Sequence, residues 1–192
     1  MTLTITHAKR ERFNYKNALC HIITRCNNKE PLIHKELDFA KYKYILKACK
    51  GQHGFLLYNY VIMNSHVHLI IKLTETENIS KIMHSINRWY ARWYNEHYGR
   101  KGHFWEDRFY AEPINEDDQF LAVMRYLDLN PVRAGLCKTP ADWRHSGARV
   151  YLSGEKDELI DIPDIYINFG ETNELRQKAY ASIFPTDLTR LE

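Results

Sequence analysis

The sequence predicts an α+β protein: a ferredoxin-like sandwich, in which an antiparallel sheet carries helices on one face, plus one extra C-terminal helix. Two observations predict it. Segments of strand-like and helix-like hydrophobic periodicity follow one another in the order β-α-β-β-α-β. The two middle strands are separated by only Asn64-Ser65, so they can close as a hairpin.

Each element has its own justification. Residues 18–25, ALCHIITR, mix apolar and β-branched side chains and predict the first strand. CNNKEP follows and is a turn by composition. Over residues 37–50, Phe39, Tyr42, Ile45, Leu46 and Cys49 recur at helical spacing, and Gly51 is expected to stop that helix. Residues 55–63 and 66–73 predict the hairpin strands. Residues 79–97 form an amphipathic helix with Ile82, Met83, Ile86, Trp89 and Trp93 expected on the core side. A basic loop at 99–102 leads to a short strand at 109–114. Asn115 can cap a last helix whose first turn, Glu116-Asp117-Asp118, suits the positive end of the helix dipole. That helix is expected to run to about Leu129, just before Pro131. Two weak segments, around 160–169 and 171–183, predict no definite fold.

Length and composition bound the function. A chain of 192 residues allows one domain, and 44% hydrophobic with 27% charged residues predicts a packed core rather than disorder. No run reaches the ~20 apolar residues needed to cross a bilayer, and no apolar leader opens the sequence, so a cytoplasmic location without membrane attachment is expected. Cys20, Cys26, Cys49 and Cys137 show no C-x-x-C spacing and read as reduced thiols. Residues 1–150 hold 23 bases against 15 acids, whereas residues 151–192 hold four against nine. A basic body attracts polyanions, and an acidic tail can screen it.

Three constellations carry chemistry. His66-x-His68 lies on a predicted strand, where residues two apart point the same way, so the two imidazoles form a two-point clamp for a metal. Histidine suits many divalent ions, and the pair alone names none. Tyr126 and Asn130 lie four apart and share a helical face. Tyrosine becomes a nucleophile once a base or metal assists its deprotonation. Asparagine offers a neutral oxygen to a hard cation such as Mg²⁺ or Mn²⁺. The third is a basic, aromatic strip: Lys81, Arg88 and Arg92 on one helix face, then Arg100, Lys101, Trp105 and Arg108. Such cations meet phosphates, and an aromatic ring can stack on an unpaired base. For Trp105, stacking and core anchoring are equally open.

The stretch YVIMNSHVHLII at 60–71 resembles the Y-V-x-M-x-N-H-x-H-L motif of the HUH single-strand DNA transposases with one catalytic tyrosine, nearest the REP-associated branch of the IS200-like superfamily. TRCNN (24–28), ISKIMH (79–84), GHFWEDRF (102–109), RYLDLNPVRAGL (125–136) and WRHS (143–146) also match, in family order. Two departures stand out: Asn64-Ser65 where the family has Pro-Asn, and Arg144-His145 between Trp143 and Ser146.

The resemblance implies a body at 18–150 that holds Mg²⁺ or Mn²⁺ through His66, His68 and Asn130, with Tyr126 as nucleophile. It also implies metal-dependent nicking and strand transfer on hairpin-bearing single-stranded DNA through a 5′-phosphotyrosine. Residues 1–17 would be a basic arm and 151–192 an acidic extension. Arg10, Arg12, Arg25, Lys81, Arg88, Arg92, Arg100, Lys101, Trp105, Arg108 and Arg133 are the expected DNA contacts. Monomer and homodimer are both open. Two rival activities stay open as well: a silent binder of structured nucleic acid, and a metal-dependent phosphoesterase that uses water.

Overall fold

The computed structural model describes residues 15–74 and 78–185. The order is β1 (Leu19–Arg25), α1 (Glu36–His53), β2 (Leu56–Ile62), β3 (His66–Lys72), α2 (Ile79–Tyr98), β4 (Tyr110–Pro113) and α3 (Asp117–Arg133). Three short helices follow: α4 (Ala148–Ser153), α5 (Asp164–Ile167) and α6 (Asn173–Ala181). The strands lie in the order β2-β3-β1-β4, and every neighbouring pair is antiparallel. This is the ferredoxin-like arrangement that the element order predicts. Among the described residues, no helix is long and apolar enough to cross a membrane.

Strand alternation divides the sheet into two faces. Ile22, Leu57, Tyr60, Ile62, Val67, Leu69 and Ile71 pack under α1 and α2 in one core. Val61 and Ile70 belong to a second core with Phe120, Met124 and Leu127 of α3. Tyr151, Tyr166 and Tyr180 from the segment after α3 complete that second core. Their hydroxyls are satisfied as they are buried: Tyr151 donates to Tyr58 O, Tyr166 to Tyr151 O, and Tyr180 to the Asp128 carboxylate at 2.6 Å. Asp128 also accepts from Asn59 Nδ2 at 2.8 Å, which ties α3 to β2.

The same segment closes the outer edge of β2. Ile62 N donates to His145 O, Gly147 N to Tyr60 O and Asp161 N to Leu57 O. Leu57 N in turn donates to the Asp161 carboxylate. A Cβ on Gly147 would lie 2.5 Å from Asn59 Oδ1, so only glycine allows this approach. Acids of the tail meet α1: Glu158 pairs with Lys47, and Asp161 with Lys50 at 2.6 Å.

Three local expectations are corrected. Helix α1 passes through Gly51, which is exposed and meets nothing, and ends at Gly54, whose φ of +68° makes the left-handed cap. Helix α3 is preceded by Glu116 rather than Asn115, and it runs through Pro131 to Arg133. Proline is tolerated there because only the final turn follows it, and that turn keeps its bonds from Ala134 N to Asn130 O and from Leu136 N to Pro131 O. In α2 the buried register is Ile82, Met83, Ile86, Tyr90 and Tyr94, so Trp89 falls one position off the stripe and is 39% exposed. Trp93 is only partly buried.

Candidate metal and nucleophile site

The site is built on the sheet face opposite α1 and α2. Along β3, Val67, Leu69 and Ile71 enter the first core, so His66 and His68 project the other way. Strand β1 runs beside β3 with Arg25 paired to His66 and Ile23 to His68. Helix α3 brings Tyr126 and Asn130 to the same place. The His66 Nε2 and Asn130 Oδ1 atoms lie 3.4 Å apart. Asn130 Nδ2 donates to Tyr126 O at 3.2 Å, which turns the amide oxygen toward the imidazole. His66 Nδ1 sits 3.1 Å from Ser65 Oγ. The His66 and His68 rings are nearly perpendicular, with centroids 5.0 Å apart. The Tyr126 ring stands edge-on to His68 at 5.6 Å and is 37% exposed. The Arg133 guanidinium lies 5.5 Å from the Tyr126 centroid.

Burial disfavours the charged form of both imidazoles. Burial pushes His66 below the usual histidine range, with the Asn130 bond opposing and the Arg25 charge assisting. His68 is pushed much further down, first by burial and then by His21, His66 and Arg25. Neutral rings offer lone pairs, as a metal ligand must. Among the described residues, no three His, Cys, Asp or Glu side chains gather in a way that could hold a metal. A cation held at this place would need the Asn130 amide beside the two imidazoles.

The expected residues divide by place. His66, His68, Tyr126 and Asn130 come together, with Arg25 and Arg133 beside them. Lys81, Arg88 and Arg92 lie exposed along α2, which covers the other sheet face, and Arg92 is paired with Glu96 at 2.7 Å. Arg100 donates to His103 O at 2.8 Å, while Lys101 and Arg108 are exposed in the loop before β4. Trp105 is half-buried against Phe104 and Tyr90, and its indole N–H donates to Asn87 O at 2.9 Å, which is an anchoring geometry. Arg10 and Arg12 lie outside the described residues.

Two participants escaped the sequence reading. His21 Nε2 lies 2.9 Å from His68 Nδ1, with the two rings edge to edge, nearly coplanar, and their centroids 5.2 Å apart. Burial pushes His21 down to about 4. Ser65, noted only as a departure in the turn, touches His66. The available signal was alternation in β1, which puts His21 and Arg25 on one face.

Known proteins bear on this arrangement in three ways. No curated protein matches the chain. A solved structure of a REP-associated tyrosine transposase bound to a REP hairpin superposes with a TM-score of 0.65 at 20% identity, covering 81% of this chain and 94% of that one. A Deinococcus radiodurans R1 chain described as a transposase gives a TM-score of 0.47 at 18% identity, covering 62% and 95%. The first likeness is one of fold, and it agrees with the sheet order above. The family profile described as "Transposase IS200 like" matches residues 14–130, more than half of the chain, and ends on Asn130 itself. A match of that length spans the H-x-H strand and the tyrosine helix together, and by it the chain belongs to the IS200-like transposase family.

Proposed function

We propose that the protein nicks and rejoins hairpin-bearing single-stranded DNA, with Tyr126 as nucleophile at a metal centre held by His66, His68 and Asn130. The observation that carries this reading is the convergence of Tyr126 and Asn130, one helical turn apart on α3, onto the paired imidazoles of β3. Two neutral imidazoles and an amide oxygen are donors that suit Mn²⁺ or Mg²⁺. When bound, such a cation supplies charge neutralisation at the scissile phosphate and polarises its phosphorus.

The chain's own residues supply the rest. The ligand side chains carry no negative charge, and Arg25 adds a positive one, so the site favours an anionic phosphate. Helix α3 fixes the Tyr126 backbone, and the His68 and His21 rings border its side chain. The phenol oxygen forms a bond to phosphorus as the bond from phosphorus to the 3′ oxygen breaks. The phenol proton passes to solvent, and the departing 3′ oxygen takes up a proton. A 5′-phosphotyrosine and a free 3′-OH result. The ester keeps the bond energy, so a 3′-OH can reverse the step and join strands without ATP.

Arg25 and Arg133 would hold phosphates at the site. Lys81, Arg88, Arg92, Arg100, Lys101 and Arg108 would hold them further along the DNA, with residues 18–150 as the catalytic body. The hairpin substrate rests on the likeness to the transposase bound to a REP hairpin.

Tyr126→Phe tests the reading, because it keeps the ring and removes only the hydroxyl. With hairpin-bearing single-stranded DNA and Mn²⁺, the parent should form a covalent adduct that maps to Tyr126. The variant should bind the DNA and form none. Cleavage by the variant with an adduct at another tyrosine would overturn the assignment. Cleavage without an adduct in either protein would favour the water-using phosphoesterase, and binding without cleavage by the parent would favour a silent binder.

A further inference from the structure

We propose that His21 is a positioning residue for this centre: its Nε2 accepts the Nδ1 proton of His68, which leaves the His68 Nε2 lone pair as the ligand and holds that ring in place. The inference rests on the reading of His66, His68 and Asn130 as metal ligands, and it adds a residue which that reading does not contain.

The placement begins with strand register. Ile23 of β1 pairs with His68 of β3, and His21 pairs with Ile70. His21 is therefore the diagonal neighbour of His68 on the same face, within reach of a long side chain. The two rings lie nearly parallel, 14° between planes, and their Nε2 and Nδ1 atoms are 2.9 Å apart. Both residues are buried, at 6% and 1% exposure, so water has little access to the contact.

An imidazole has two ring nitrogens, and a neutral one carries a single proton. If His68 places that proton on Nδ1, toward His21, then Nε2 is its only free lone pair. The bond thus selects one tautomer and one ring orientation. His66 is held differently in the metal-free chain: the Asn130 amide oxygen can only accept, so its contact places the His66 proton on Nε2, and Nδ1 accepts from the Ser65 hydroxyl. The His21 bond is therefore the one that leaves an Nε2 lone pair free to ligate. Outer partners of this kind orient a ligand and raise its basicity, and their loss commonly weakens metal binding by about 10–100-fold.

His21 also borders the nucleophile. Its ring meets Tyr126 edge-on at 6.1 Å, so one side chain touches both a ligand and the tyrosine.

Two variants separate a hydrogen-bonding role from packing. His21→Gln keeps an acceptor near the Nε2 position, whereas His21→Leu fills similar space without one. The first measurement needs no substitution: long-range proton–nitrogen correlation spectra of the metal-free parent should show His68 protonated at Nδ1 and bare at Nε2. A His68 protonated at Nε2 overturns the proposal. The second is calorimetric titration with Mn²⁺ alone. Leucine should weaken binding by about 10–100-fold, and glutamine should restore it to within a few-fold of the parent. Equal affinity of the two variants overturns the positioning role while leaving the metal centre standing. If the parent binds no Mn²⁺, the metal reading fails and the positioning role fails with it. Should the leucine variant not fold, His21→Phe keeps a flat ring without an acceptor and takes its place.

Discussion

The two faces of the sheet are assembled by different means. Under α1 and α2 most contacts are apolar: Ile22, Val67, Leu69 and Ile71 meet Ile82, Met83, Ile86 and the aromatic rings of α2, with buried Asp38 and Thr24 as polar exceptions held by Tyr98 and Asn87. On the other face, His21, Asn59, His68 and Asp128 are buried, and each is hydrogen-bonded to a named partner. The first face gains its stability from area removed from water and tolerates swaps that conserve volume. The second depends on partners, because truncating one side of a buried polar pair leaves the other unsatisfied. Chemistry and fragility thus share one side of the sheet.

The sharpest test of that division sets neighbouring residues of β3 against each other. His66→Ala should lower nicking by about a thousandfold or more, as loss of a metal ligand would, with little change in unfolding midpoint because His66 is only half-buried. Val67→Ala should do the reverse. It should cost about 2 kcal/mol of stability and leave nicking by the folded protein intact. Adduct yields that fall equally in both would break the comparison. His68→Ala is a less selective probe, since His68 is buried against His21 and its removal also empties space.

The next effect concerns the clamp behind α3. Tyr180→Phe removes one bond to a buried carboxylate and should cost about 1–3 kcal/mol in urea unfolding. An unchanged midpoint would mean that Asp128 finds another donor. Removal of residues 152–192 should abolish cooperative unfolding rather than expose a DNA-binding surface, because Tyr166 and Tyr180 complete the second core.

A smaller effect is set by pH. His145 stacks on Phe39 with centroids 3.6 Å apart, and burial pushes it down to about 4, with Glu36 opposing. Its folded-state value is depressed, so the unfolded chain takes up the proton first. The contribution is whole above about pH 6.5 and is lost as pH falls toward 4. A loss on the order of 1–2 kcal/mol is expected by pH 5.5. His145→Phe keeps a ring on Phe39 and should lose that share of acid sensitivity. An identical pH profile would show that other groups carry it.

The smallest expected effect lies on α2. Arg88→Ala should weaken DNA binding a few-fold and reduce the slope of log affinity against log salt by about one, as loss of one phosphate contact does. An unchanged slope would remove α2 from the DNA path.

Much of this was legible from local pattern. Alternation alone puts His66 and His68 on one face, and the four-residue spacing alone puts Tyr126 beside Asn130. Neither needs knowledge of what packs where. His21 was not legible, because its partner depends on the register of β1 against β3, across 47 residues of chain. Trp89 was misplaced because residues three and four after Ile86 both satisfy the helical pattern, and the core admitted Tyr90 instead. The segment after α3 gave no periodic signal. Tyr151, Tyr166 and Tyr180 are separated by loops and held by hydroxyl bonds, which hydropathy patterns do not register.

The seal along β2 bears on how two copies of this chain could meet. A strand at the border of a sheet normally presents a row of unpaired N–H and C=O groups, and another molecule can add to it. Here the groups of Leu57, Tyr60 and Ile62 that face outward are already bonded to His145, Gly147 and Asp161. A dimer that continues the sheet through β2 would first have to peel this segment away, and with it the approach that Gly147 makes to Asn59. The other border is β4, a strand of only four residues. Growth of a shared sheet between copies is thus closed on one side and short on the other, which directs any pairing of copies to side chains rather than to backbone.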